Sequence, residues 1–102
     1  MKQYHVLISA ENTKQANTIL DALLKKRLVL GGPVLRGPAR FWWKGKIVKM
    51  DYSFILTYTI DKHRKAITET VKKVSIEEIP MISFFPFEGN ASLLRLIHGT
   101  VK

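Results

Sequence analysis

Residues 41–49 of the chain read FWWKGKIVK, a pattern typical of a β-hairpin. Lys44-Gly45 is typical of a tight turn, because glycine tolerates the positive φ that two-residue hairpin loops require. Apolar and aromatic residues stand on both sides of the turn, as expected for two paired strands. Successive side chains of a strand point to opposite faces, so Trp42 and Trp43 cannot both enter the same core.

Strand patterns flank this hairpin on both sides. Tyr4–Ala10 is rich in β-forming residues and predicts a first strand, and residues 46–60 predict a long strand after the turn. Residues 28–43 contain glycine and proline early, so we expect a strand that is bent or bulged there and regular only near Phe41. Residues 79–87, IPMISFFPF, predict a buried strand.

Three helices are predicted from apolar residues that recur at helical spacing. The first ends at Lys25-Lys26-Arg27, where the helix dipole favours cations. The second covers residues 62–74, and the third begins near residue 91. The predicted caps and stops are Asn12 or Thr13 for the first helix, Asp61 for the second, and Asn90 and Gly99 for the third.

The order of elements is therefore β-α-β-β-α-β with a C-terminal helix. This order is typical of the ferredoxin-like α+β fold, in which an antiparallel sheet carries two helices on one face. A length of 102 residues predicts a single domain, residues 1–102. Because the strands are apolar or aromatic on both faces, the face without helices would leave apolar surface in water, and self-association is the simplest remedy.

The chain is strongly basic, and its charge is uneven. Seventeen Lys and Arg against eight Asp and Glu give a net charge of +9. No acidic residue lies between Asp21 and Asp51, whereas lysine and arginine accumulate there. Such a field attracts polyanions, although a solvated basic face accounts for the same composition. The candidate anion-binding residues are Arg36, Arg40, Lys44 and Lys46.

Nucleic-acid binding is the alternative function that the charge suggests. Aromatic residues interleaved with Arg and Lys on an exposed sheet face stack bases and hold phosphates in single-strand binders. The RNP1 pattern of the common RNA-binding module does not appear, however, and WKGKIVK lacks its second aromatic residue. The alternative therefore depends on charge alone.

The sequence offers little for catalysis or for metal binding. The absence of cysteine excludes thiolate metal sites and a cysteine nucleophile, and the three histidines have no spacing typical of metal ligands. Glu77 and Glu78 are adjacent, so their side chains should diverge rather than form an acid–base pair. We therefore expect no catalytic residue, no metal site and no cofactor.

The sequence also predicts a protein without a membrane partner. No apolar run approaches the ~20 residues that a membrane span requires, and the first residues lack the pattern of a signal peptide. We therefore expect a cytoplasmic location.

The hairpin motif resembles one protein family. FWWKGKI is similar to the Tyr-x-Trp-x-Gly-Lys-Ile hairpin of the CutA family, which is named for divalent-cation tolerance. Before the hairpin, residues 7–29 resemble that family's first strand and helix. After it, EIPMI resembles the family's Glu-Val-Pro-Glu-Ile segment, and EGNASLLRLI resembles its C-terminal Gly-Asn-x-x-Tyr-Leu-x-Trp-Ile motif. The resemblance covers nearly the whole chain.

This resemblance implies a tight homotrimer similar in architecture to the PII signalling proteins. Hairpin strands of one subunit would continue the sheet of a neighbour, with one tryptophan in the core of its own chain and the other at the subunit boundary. The implied interface residues are Phe41, Trp42, Trp43 and Ile47. The implied function is that of a non-enzymatic binding or regulatory protein, with its ligand in a cleft between subunits. The net charge of +9 suggests that this ligand is a small anion.

The chain departs from the family at the positions linked to copper. Copper-linked members carry a cysteine in the first strand, where this chain has Ile8, and a His-Pro-Tyr segment where it has Ser75, Ile76 and Glu77. An apolar side chain cannot ligate a cation, and a serine is a poor substitute for imidazole. The resemblance therefore predicts the fold without the metal site.

Overall fold

The computed structural model describes residues 2–102, which form a four-stranded antiparallel sheet and three α-helices. In chain order the elements are β1 (Gln3–Ala10), α1 (Thr13–Lys25), β2 (Val34–Trp43), β3 (Lys46–Ile60), α2 (Arg64–Val74), β4 (Ile82–Pro86) and α3 (Ala91–Thr100). The strand order β2-β3-β1-β4 and the two crossing helices are those of the ferredoxin-like α+β fold, as predicted.

The main hydrophobic core lies between the sheet and helices α1 and α2, on what we call the helix-side face. Its largest fully buried side chains include Ile8 and Ile55 from the sheet, Ile19 and Leu23 from α1, and Ile67 from α2. The apolar residues of α1 recur every three or four positions, so one stripe of the helix faces the sheet. None of the helices within residues 2–102 is long and apolar enough to cross a membrane.

The helix ends follow the predicted caps only in part. Asn12 caps α1, since its side chain accepts a hydrogen bond from the backbone N–H of Gln15 at 2.8 Å. Asn90 occupies the corresponding position of α3 but makes no side-chain cap hydrogen bond. The prediction that Gly99 stops α3 is wrong, because that glycine does not adopt positive φ and the helix continues to Thr100.

Asp61 does not cap α2. It begins a short 3-10 turn, Asp61–His63, and its carboxylate pairs with Arg64 at 2.8 Å. His63 takes the N-cap position of α2 without a side-chain cap hydrogen bond. Burial lowers the pKa of His63, and the charge of Lys62 adds to this effect, so the imidazole favours its neutral form.

Strand β2 is regular over its whole length, which differs from the prediction. Its pairing with β3 runs without interruption from Val34 opposite Ile55 to Trp43 opposite Lys46, through Gly37 and Pro38. A proline is tolerated there because β2 is an edge strand and pairs on one side only.

The irregularity caused by glycine falls just before β2. Gly31 has a φ of +103°, and Gly32 lies so close to β3 that a Cβ would stand 2.0 Å from the carbonyl oxygen of Leu56. The predicted bend is therefore present, but it belongs to the connection between α1 and β2.

Strand β4 is shorter and more exposed than predicted. It forms the other edge of the sheet and pairs with β1 alone. Ile82 and Phe84 pack against the core, whereas Ser83 and Phe85 are exposed on the opposite side. The prediction of a buried strand is wrong because an edge strand of a sheet with helices on one face buries only alternate residues.

The sheet surface opposite α1 and α2, here called the open face, is covered only at its ends. Helix α3 packs on one end through a small cluster of Ile60, Ile97 and Val101. Residues 75–81, the 75–81 segment, cross the other end. Between these ends Leu35 and Phe85 are each 50 % exposed, so this face presents the apolar surface that the strand composition predicted.

Strands β2 and β3 extend beyond the rest of the sheet as a two-stranded arm, residues 37–52. Strand β1 pairs with β3 only from Ser53 to Ile60, so the strands of the arm pair only with each other. Lys44 and Gly45 form the predicted turn at the tip, and both have positive φ, 50° and 79°. The structure is correspondingly elongated, with extents of 43 × 25 × 21 Å.

Candidate functional site

The arm and the 75–81 segment enclose a cavity of about 440 Å³ on the open face of the sheet. Most of its walls are aromatic or aliphatic side chains. The arm contributes Phe41, Trp42, Trp43, Val48, Met50 and Tyr52, and the other wall consists of Glu11, Ile76, Glu77, Glu78, Ile79 and Met81. The cavity therefore combines an apolar surface with three carboxylates.

Alternation along the arm determines which side chains reach the cavity. Phe41 stands opposite Val48, and both point to the open face together with Trp43 and Tyr52. The rings of Phe41 and Tyr52 lie 5.4 Å apart. This row of side chains forms one continuous wall of the cavity.

Trp42 also borders the cavity, but alternation along the strand directs its side chain, and that of Ile47 opposite it, to the other side of the arm. Because α1 and α2 leave this part of the helix-side face uncovered, Trp42 is 72 % exposed and Ile47 58 % exposed. Neither Trp42 nor Trp43 belongs to the hydrophobic core. The expectation that one tryptophan fills the core of its own chain is therefore wrong, since the arm extends past the helices that bury the core.

Hydroxyl groups from two strands hold Glu77 in place. Ser9 Oγ donates to Glu77 Oε1 at 2.9 Å, and the Tyr52 hydroxyl donates to Oε2. Ser9 also accepts a hydrogen bond from the backbone N–H of Met81 at 2.8 Å, which fixes the 75–81 segment against β1. Burial, together with the hydrogen bond to Glu77, raises the pKa of Tyr52 to about 12, so the phenol remains protonated.

Lys44, at the tip of the arm, reaches over the mouth of the cavity. Its Nζ lies 5.4 Å from the centre of the Trp43 ring, a cation–π distance, and 3.5 Å from Glu78 Oε1. The side chains of Lys44 and Glu78 are 67 % and 62 % exposed, so their ion pair contributes at most about 1 kcal/mol. Glu77 and Glu78 diverge as predicted, one toward β1 and β3 and the other toward the arm tip.

The four basic residues predicted to bind an anion do not form one site. Arg36 and Arg40 lie on the helix-side face of the arm strand, Lys46 on the open face and Lys44 in the turn. Arg36 has its own acidic partner, Asp51, at 3.7 Å. The charged residues that line the cavity are all glutamates.

Within residues 2–102, the side chains of one chain do not bring together the ligands of a copper or zinc site. Among residues 2–102, no three His, Asp or Glu side chains lie close enough to hold a metal ion. The His5 ring packs against two aromatic rings, 4.8 Å from Tyr58 and 4.2 Å from Phe87 between centres. Ile8, at the position that resembles the copper-linked cysteine, has no exposed surface.

Comparison with known families identifies the fold and the family. A family model described as CutA1 divalent ion tolerance protein matches residues 4–99. This chain belongs to the CutA1 family. The match includes the whole arm and the 75–81 segment, so the cavity lies entirely within the family's domain.

Solved CutA1 structures have the same fold. CutA from Pyrococcus horikoshii is 21 % identical, with a TM-score of 0.91 over 97 % of this chain and 99 % of that chain. The periplasmic divalent cation tolerance protein CutA from Archaeoglobus fulgidus is 26 % identical, with a TM-score of 0.85 over 98 % and 99 %. The divalent cation tolerance protein from Thermus thermophilus is 25 % identical, with a TM-score of 0.86 over 98 % and 99 %. No curated protein matches the chain significantly in sequence.

The resemblance predicted from the hairpin is thus confirmed, whereas the cavity was not predicted. One sequence signal for it exists. Alternate residues of the arm, Phe41 and Trp43 on β2 with Val48 and Met50 on β3, are apolar on one face. The partner of this wall could not be foreseen, because the 75–81 segment has no regular secondary structure.

Proposed function

We propose that this CutA1-family chain is a non-enzymatic binding or regulatory protein that forms a PII-like homotrimer, with its ligand in a cleft between subunits. The observation that carries the proposal is the apolar centre of the open face, where Leu35 and Phe85 remain half exposed. A small domain with such a surface gains by covering it with another copy.

The arm supplies a second set of groups for assembly. Trp42 and Ile47 are exposed apolar anchors, and tryptophan is enriched among the residues that dominate binding energy. Strand β2 is an edge strand, so its outer main-chain groups are available to continue the sheet of a neighbour. In this proposal Trp42 and Ile47 contact a neighbour, while Phe41 and Trp43 line the cavity next to the interface.

Sedimentation velocity and light scattering test the assembly. Three chains of 11.7 kDa give an expected mass of 3 × 11.7 = 35.1 kDa. Replacing both Leu35 and Phe85 by serine should shift the protein toward monomer, whereas Leu24→Ser on α1 should not. A wild-type monomer at micromolar concentration would contradict the proposal.

The proposal also concerns the family role and the location. The role in divalent ion tolerance would not depend on a copper site within one chain, because the side chains present do not fit one. We place the protein in the cytoplasm, although the Archaeoglobus relative is named as periplasmic. Fractionation of the source cells, followed by immunoblotting, should find it in the cytoplasmic fraction, and a periplasmic signal would refute that location.

A specific feature of the arm favours the alternative function, nucleic-acid binding. Arg40 and Lys49 face each other on the same side of the arm as Trp42, and neither forms an ion pair within residues 2–102. Like charges directly opposite each other repel, and a bound phosphate would relieve that repulsion. Two cations beside an exposed aromatic ring are the groups that single-strand binders use.

Fluorescence anisotropy with a labelled oligothymidylate, across a salt series, distinguishes the two functions. Nucleic-acid binding predicts an affinity that falls steeply with salt and is weakened by the double change Arg40→Gln and Lys49→Gln. The matched control, Lys72→Gln with Lys73→Gln at the end of α2, removes the same charge elsewhere. If no salt-dependent binding is found, the alternative is rejected.

A further inference from the structure

The charge inside the cavity is opposite to that of the whole molecule. The net charge is +9, yet the charged side chains that line the cavity are Glu11, Glu77 and Glu78. Arg40 and Lys49 point to the helix-side face of the arm, away from the cavity. An anion that entered the cavity would meet carboxylates and apolar walls, so the structure argues against the anionic ligand that net charge suggested.

The apolar walls determine which kind of cation fits. A volume of about 440 Å³ lies in the range of small-molecule sites, which are mostly apolar with a few placed polar groups. A bare metal ion needs several converging ligands, whereas both oxygens of Glu77 already accept hydrogen bonds from hydroxyl groups. A ligand with one positive charge and an apolar body matches both parts of the cavity.

The protein already places a cation at the mouth of this cavity. The Lys44 ammonium lies between the Trp43 ring and the Glu78 carboxylate, at 5.4 Å from the ring centre and 3.5 Å from Oε1. An ammonium held by an aromatic face and a carboxylate is a favourable arrangement. Because the Lys44 and Glu78 side chains are mostly exposed, an incoming ammonium can displace Lys44 from Glu78 at little cost.

We propose that the cavity binds a small organic ammonium ion with an aromatic or branched aliphatic body, and that Lys44 is a tethered competitor for its charged end. The apolar body lies against Phe41, Val48 and Met50, and the ammonium pairs with Glu78 beside the Trp43 ring. This inference goes beyond the proposed function, since it concerns a cavity formed within one chain, beside the proposed subunit interface.

Calorimetry with phenethylammonium as the probe tests the inference, with 3-phenylpropionate as a probe of similar shape and opposite charge. Fluorescence of the Trp42→Phe variant gives a second readout, because Trp43 is then the only tryptophan. We expect saturable binding of phenethylammonium, a shift in Trp43 emission, and no binding of 3-phenylpropionate.

Three variants separate local contacts from the overall field. Glu78→Gln should weaken phenethylammonium binding by about tenfold, the loss of one charge-assisted contact. Lys44→Met should tighten binding severalfold, because Glu78 is released. Lys49→Met removes the same charge from the other side of the arm and should leave the affinity unchanged.

Two outcomes would overturn the inference. The first is the absence of saturable phenethylammonium binding, or equal binding of 3-phenylpropionate, in a folded sample. The second is an equal change in affinity for Lys44→Met and Lys49→Met, which would show a general field effect without competition at Glu78. Neither result would contradict the proposed trimer. A monomeric sample would contradict the trimer and would leave the proposed ammonium site unaffected.

Discussion

Gly32 lies against the backbone of β3, where a Cβ would stand 2.0 Å from the carbonyl oxygen of Leu56. We expect Gly32→Ala to lower the free energy of unfolding by about 1–3 kcal/mol or more, because the backbone of one segment must move. Gly99→Ala is the control, since a Cβ there meets nothing within 4 Å and α3 should gain about 0.5–1 kcal/mol. Guanidinium unfolding at equal protein concentration measures the free energy of unfolding of both variants. Equal changes in that free energy would contradict the close approach of Gly32 to the Leu56 carbonyl.

Tyr52 provides a prediction about pH. Its folded-state pKa of about 12 lies above the value of ~10 expected in the unfolded chain, so folding favours the protonated phenol. The stability that this group contributes is complete below pH ~10 and is lost as the pH rises toward 12.

The test is urea unfolding of the wild type and Tyr52→Phe at several alkaline pH values. The free energy of unfolding of the wild type should fall more steeply above pH ~10 than that of the variant. Because both proteins carry the same lysines, the difference isolates Tyr52. Parallel curves would show that burial and the hydrogen bond to Glu77 do not raise the pKa of Tyr52.

At the scale of the helix, two asparagines occupy N-cap positions and differ in one hydrogen bond. Asn12 accepts from the Gln15 N–H, whereas Asn90 makes no cap bond. We expect Asn12→Ala to destabilise the protein by about 1 kcal/mol, and Asn90→Ala to have a smaller effect. Thermal unfolding followed by circular dichroism measures the difference, and equal losses would contradict the assignment of the caps.

The arm gives adjacent tryptophans different environments. Trp42 is exposed on one face, while Trp43 lines the cavity on the other. We expect Trp42→Ala to shift dissociation of the proposed trimer to higher protein concentration, with little change in fold. Trp43→Ala should instead lower the free energy of unfolding by about 1–3 kcal/mol, since it removes a wall of the cavity. Sedimentation velocity measures association and chemical unfolding measures stability for both variants. Equal changes in both quantities would refute the assignment of Trp42 to the interface and Trp43 to the cavity.

For the whole molecule, we predict no Cu²⁺ or Zn²⁺ site of sub-micromolar affinity. Such a site needs several soft or borderline donors about 2.0–2.3 Å from the ion, and the chain has no cysteine. In a trimer, symmetry would have to bring three copies of one histidine together, and the His5 ring is packed against Tyr58 and Phe87. Calorimetry on tag-free protein is the measurement. One metal per three chains, lost in His5→Ala, would disprove the prediction.

The features that could be predicted from the sequence depend on residues that are neighbours along the chain. The turn at Lys44-Gly45, a cap at Asn12 or Thr13 and the apolar stripe of α1 depend on local preferences, so the sequence predicted them directly. The order of these elements then predicted the ferredoxin-like fold, and the hairpin motif predicted the CutA family.

Features that involve distant segments were set by the tertiary structure. The edge positions of β2 and β4 allowed Pro38 to pair within a regular strand and left Phe85 exposed. The extension of the arm past α1 and α2 kept both tryptophans out of the core. The fold of the 75–81 segment placed Glu77 against β1 and β3 and Glu78 near the arm tip, so that two diverging carboxylates line one cavity. Burial and charge at these positions follow from which segments pack together in space, and no local pattern of the chain specifies that packing.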